Sequence, residues 1–130
     1  MLSQLTPMAT LATGDLERAR KFYEDTLGLS EMPESANAEM PGGVAYQAGA
    51  GAIFVYESQY AGTNKATAVT FMADDEQFDK EVERLRHKGI DFMTFEFEGM
   101  EWEGDIAMME DMRAVWFADP DGNIINISTM

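Results

Sequence analysis

The side chains able to do acid–base or metal chemistry in this chain are nearly all carboxylates: 24 Asp and Glu stand against one histidine and no cysteine. Without thiols there can be no disulfide framework, thiolate nucleophile or thiolate metal site. The one imidazole, His87, lies between Arg86 and Lys88 near the end of a helical pattern. There it reads as a solvated residue complementing the negative end of the helix. Zn, Ni, Mn and Fe sites gather several imidazole or carboxylate donors in one place, so here carboxylates would have to supply every ligand. Neither a metal nor a cofactor is expected.

A second chemically dense stretch runs from Phe97 to Arg113, where acidic residues alternate with Met and Trp around Gly99 and Gly104. Read as an irregular loop, it has the length of a lid. Trp102 with Met108, Met109 and Met112 would close over a flat or greasy ligand, and Glu98, Glu101 and Glu103 would draw in positive charge. The same stretch could equally be a dimer contact or pack on its own core. A formal charge of −15 repels phosphate backbones and anionic lipid, so nucleic acid and membrane are not expected partners. Solubility is an ordinary use of such acidity. No signal-peptide pattern and no apolar run of about 20 residues is visible, so a cytoplasmic location is expected.

The elements that must position these groups come in two copies. A strand at Pro7 to Ala12 leads to Asp15, a good N-cap, and Leu16, Ala19, Phe22, Tyr23 and Leu27 recur at helical spacing until Gly28. Thr67 to Ala73 reads as the second such strand. Asp74 with Gln77 starts a helix whose stripe is Phe78, Val82 and Leu85, closed by Gly89. Three strands are expected after each helix: Leu29 to Met32, Val44 to Ala48 and Ala52 to Glu57, then Asp91 to Phe97, Ala114 to Ala118 and Ile124 to Ser128. The turns Ala48-Gly49-Ala50-Gly51 and Asp119-Pro120-Asp121-Gly122 suit hairpins. The expected fold is α+β: two βαβββ modules, about 1–60 and 65–130, in a single domain of residues 1–130. They would form one curved mixed sheet with a concave cleft for a small molecule.

Gly14-Asp15-Leu16-Glu17-Arg18-Ala19-Arg20-Lys21-Phe22-Tyr23-Glu24-Asp25-Thr26-Leu27-Gly28-Leu29 resembles the first-helix signature of the vicinal-oxygen-chelate superfamily, the glyoxalase, bleomycin-resistance and dioxygenase group. Phe117-Ala118-Asp119-Pro120-Asp121-Gly122-Asn123 resembles its closing hairpin. The resemblance implies four metal-ligand positions, two per module, which counting from the motifs places at Met8, Val55, Ala68 and Asn126. Met, Val and Ala offer no hard donor and an Asn amide is a weak one, so a metal-free member is expected. Strand alternation would then turn Thr10, Ile53, Glu57 and Thr70 into the cleft as well, with Leu11, Phe54, Tyr56, Val69, Phe71, Ile125 and Ile127 under the helices. Trp116 falls on the helix side if its turn has four residues, and inward if a bulge intervenes.

The ligand-binding set is therefore Met8, Thr10, Ile53, Val55, Glu57, Ala68, Thr70, Trp102, Met108 and Asn126. The first functional expectation is a metal-independent protein sequestering an aromatic or cationic small molecule, as the resemblance to the drug-binding branch implies. An alternative is a metal-free lyase or isomerase with Glu57 as base and Asn126 or Tyr46 as polarising group. A metal-dependent glyoxalase or dioxygenase ranks last. The resemblance also implies a homodimer.

Overall fold

The computed structural model describes residues 1–33 and 42–129. They form two compact units, Met1–Lys65 with Asp119–Asn123, and Ala66–Ala118 with Ile124–Met130. No helix among the described residues is long and apolar enough to cross a membrane.

In the first unit β1 (Ala9–Thr13) leads into α1 (Leu16–Arg20), then β2 (Ser30–Glu31), β3 (Gly43–Ala48) and β4 (Gly51–Glu57). The sheet order is β1-β4-β3-β2, with β1 parallel to β4 and the other pairs antiparallel. Asp15 caps α1 as expected, its carboxylate accepting from the Arg18 N–H at 3.1 Å. The helix then widens into a π-helical turn over Lys21–Thr26, where the Leu27 N–H reaches back five residues to the Phe22 carbonyl. The wider turn buries the neighbouring rings of Phe22 and Tyr23 together. They pack with Ala19, Leu11, Val44, Tyr46, Ile53 and Val55 as this unit's core. Gly28, at φ 74°, ends the helix in the left-handed conformation that favours glycine.

The loop Asp119–Asn123 is built into this unit by polar contacts. Buried Asp119 accepts from the Tyr23 hydroxyl at 2.7 Å, the Asn123 amide side chain at 2.8 Å, and the backbone N–H groups of Asp121 and Asn123. Asp121 accepts from the Thr13 hydroxyl at 2.6 Å, the Gly14 N–H at 2.8 Å and the Arg18 guanidinium at 2.6 Å. The two stretches that carry the family resemblance are thus hydrogen-bonding partners, so their joint presence records a fold constraint rather than a reaction.

The second unit contains β5 (Thr67–Ala73), α2 (Asp75–His87), β6 (Glu101–Glu103), β7 (Ile106–Met109), β8 (Met112–Ala118) and β9 (Ile124–Thr129), ordered β5-β9-β8-β7-β6. Asp74 and Gln77 form a reciprocal capping box. Phe78, Val82 and Leu85 of α2 are buried with Val115, Phe117, Ile125 and Ile127. The Arg113 guanidinium lies 4.6 Å from the centre of the Phe78 ring while pairing with Asp75 and Asp79.

Two expectations are corrected. The strands do not make one curved mixed sheet with a concave cleft; they make separate four- and five-stranded sheets, one per unit. A hydrophobic repeat shows that a module occurs twice, but joining sheets takes a backbone ladder between edge strands, and side-chain pattern does not encode that. The second correction exchanges loop and strand. Asp91 to Phe97 is irregular, joined to β8 by the Met93 N–H to the Trp116 carbonyl at 2.7 Å. Residues 101–118, expected to begin as a loop, form a three-stranded meander whose tight turns place Gly104 at φ 65° and Glu110 at φ 53°. Because β7 occupies the β8 edge at Met112–Ala114, a strand at 91–97 has only the far end of that edge to pair with.

Gly43 marks the tightest backbone approach. A Cβ there would lie 2.5 Å from the Phe54 ring and 2.7 Å from the Val55 carbonyl oxygen. The ring could turn aside, but the ladder backbone cannot easily follow. Gly43→Ala is expected to cost roughly 1–3 kcal/mol by overpacking, read as a lower midpoint in urea unfolding; an unchanged midpoint would show that β3 shifts freely.

Candidate functional site

Directly paired strand residues share a face, so the ladders place each expected site residue. In the first unit Thr10 pairs with Phe54 and Ala12 with Tyr56, while Leu11 pairs with Val55 and Ala9 with Ile53. Ile53 and Val55, 2% and 1% exposed, therefore lie in the core with Leu11. Phe54 and Tyr56 take the other face, their rings stacked 5.9 Å apart at 8°. This reverses the expected alternation of β4. A spacing counted from a turn glycine does not carry the register, because the turns differ in length: two residues between Ala48 and Gly51, five between Ala118 and Ile124. A slip of one residue moves every side chain to the opposite face. Thr10 is exposed and Met8 partly so.

Glu57, the candidate base, is exposed at the end of β4. It borders a shallow hollow of about 470 Å³ with Thr13, Gly14, Ser58, Gln59 and Ala61. None of these neighbours is an acid or a base, and the Thr13 hydroxyl is already bonded to Asp121. Tyr46 is no polarising group for this hollow, since it is buried and its hydroxyl donates to Glu24 at 2.8 Å. Burial and that carboxylate push the Tyr46 phenol above its ordinary range.

In the second unit the expected alternation holds. Thr70 pairs with Asn126, and Trp116 pairs with Asn126 from the other side, so all three share the face away from α2. The loop after β8 has five residues rather than four, which turns Trp116 to that face. Ala68 sits at the register shift between Thr67 and Val69. Trp102 pairs with Ala107, which pairs with Ala114, and so joins the helix-free face. Met108 belongs to the alternate row with Glu101 and Arg113, on the α2 side, so it and Trp102 do not cover one ligand together.

The residues at the implied ligand positions do not fit a hard divalent ion. Val55 and Ala68 have no donor, and Met8 has only a thioether. The Asn126 amide is used at both ends: its Nδ2 donates to the Val115 carbonyl at 3.0 Å and its oxygen accepts from the Ser128 hydroxyl at 2.8 Å. Among the described residues no three His, Asp or Glu side chains stand together in a position to hold a metal.

What gathers instead is aromatic. The Phe95 ring meets Trp102 at 5.4 Å and 81°, and Trp116 at 4.9 Å and 74°; the two indoles are 6.2 Å apart. Beside this cluster lies an open groove of about 780 Å³, lined by Phe95, Phe97, Met100 and Trp102 with Glu96 and Glu98. Of these the sequence reading singled out Trp102 and Glu98. Phe95 and Glu96 fall in the expected strand Asp91 to Phe97, and three phenylalanines spaced through an acidic segment are the signal that marks it.

Solved structures share this fold at identities that show the fold alone. They include a glyoxalase family protein from Bacillus anthracis (23% identity, 97% of this chain and 94% of that one, TM-score 0.68). Another is the fosfomycin resistance protein FosX from Listeria monocytogenes (14%, 97% and 93%, TM-score 0.71). A third is a lactoylglutathione lyase from Agrobacterium tumefaciens (19%, 96% and 92%, TM-score 0.66). Among curated proteins, none matches the chain by sequence. The profile of the Glyoxalase/Bleomycin resistance protein/Dioxygenase superfamily matches residues 5–127, and with the signature helix bonded to the signature loop, the chain belongs to that superfamily.

Proposed function

We propose that the chain is a metal-independent small-molecule-binding protein that holds an aromatic or cationic compound on the helix-free side of its second sheet. The observation that carries this reading is the Phe95, Trp102 and Trp116 cluster, whose two indoles lie on the sheet face away from the helix. Large rings partly open to solvent gain most by covering a flat ligand. The superfamily includes bleomycin resistance proteins, and a fold relative is a fosfomycin resistance protein. The spent amide of Asn126 supports a metal-independent role. The lyase or isomerase alternative has less support, because no second acid or base lines the hollow at Glu57.

Titration of the full chain with a library of neutral, acidic and basic aromatics, followed by tryptophan fluorescence, tests the reading, since Trp102 and Trp116 are the only indoles. Stoichiometric quenching without turnover is expected. Trp102→Ala should weaken that affinity by roughly tenfold or more, the worth of a lost aromatic contact. Unchanged affinity would remove Trp102 from the site. Turnover that survives chelator and dies with Glu57→Gln would replace the binding reading with the catalytic one.

A further inference from the structure

We propose that the groove between residues 94 and 104 binds a small organic ammonium cation, through the aromatic rings and the carboxylates of Glu96 and Glu98 that line it. This deepens the binding reading above and rests on it. Phe97 is 60% exposed and Phe95 40%, so two large rings stand open where a folded chain would ordinarily cover them. Phe95 and Trp102, both lining the groove, meet edge to face at 81°. Ring faces carry negative potential, and a quaternary or alkylated ammonium satisfies them without needing a hydrogen-bond donor.

The charge argument selects among occupants. Glu96 and Glu98 line the groove, and the chain carries −15 overall, so an anion is repelled. A neutral ring would gain the aromatic contact but desolvate the carboxylates without pairing them. A hard metal ion would find two carboxylates among rings and a thioether, a poor oxygen shell. An organic cation meets both surfaces at once.

The test is calorimetric titration of the full chain with choline and with 3,3-dimethylbutan-1-ol, which has nearly the same shape without the charge. Choline should bind about tenfold more tightly than the alcohol, the combined scale of an exposed cation–aromatic contact and attraction to two carboxylates. It should lose about tenfold in the Glu96→Gln/Glu98→Gln double variant and again in Phe97→Leu; all three side chains are exposed, so the fold is not at stake. Binding should also weaken between low and about 0.5 M salt through screening. Equal affinity for the two probes, no choline binding, or indifference to both variants would overturn the proposal. A library ligand whose affinity ignores the Glu96→Gln/Glu98→Gln change would overturn it while leaving the binding reading intact. No ligand of any class would end both.

Discussion

Asp119→Ala should unfold the protein or leave it barely stable, a loss of about 3–5 kcal/mol. The side chain is buried and accepts four hydrogen bonds, from the Tyr23 hydroxyl, the Asn123 side chain and the N–H groups of Asp121 and Asn123. Alanine strands all four donors, and each orphan left without a partner costs about 1–3 kcal/mol before relaxation. The same loop presents Asp121 to Thr13, Gly14 and Arg18, so its collapse loosens the start of α1 as well. Asp119→Asn keeps the shape and some acceptor capacity and should cost less. Urea unfolding of the three proteins decides it. Equal midpoints for Asp119→Ala and the parent would mean that the loop is not held as described.

The second large effect is alkaline. In an unfolded chain a phenol loses its proton near pH 10. In the fold, burial and then the neighbouring Asp119 raise the Tyr23 phenol far above that range. Tyr46 is raised as well, by burial and by its hydrogen bond to Glu24. Above pH 10 the unfolded chain therefore binds fewer protons than the native one, and stability falls as pH rises, by up to about 1.4 kcal/mol per pH unit for each phenol. The contribution is fully present below pH 10. Two such groups exhaust the lower part of an ordinary margin of about 5–15 kcal/mol within about two to three pH units. Circular dichroism against pH should show cooperative unfolding above pH 10, accompanied by tyrosinate absorbance. In Tyr23→Phe the slope should become shallower even though the neutral-pH stability is lower. An equally steep slope in that variant would assign the transition to other groups.

Sequence alone determined where the helices start and which of their faces are buried. Asp15, Asp74 and Gln77 cap the helices they were expected to cap, because capping joins residues three apart. The stripes Phe22–Tyr23 and Phe78–Val82–Leu85 are buried as periodicity required. The lack of a hard donor at Met8, Val55 and Ala68 follows from residue type alone. Tertiary structure decided what depends on register and pairing. The β1–β4 ladder, and not the count from Gly51, sent Val55 into the core and Phe54 to the open face. One extra residue in the loop after β8 turned Trp116 toward Asn126. Two short hairpins stand where an irregular loop was expected, and Phe95 and Phe97 are exposed in the segment before them. Side-chain alternation has a period of two and turns vary by single residues, so a sequence can name the members of a strand while the ladder alone assigns their faces.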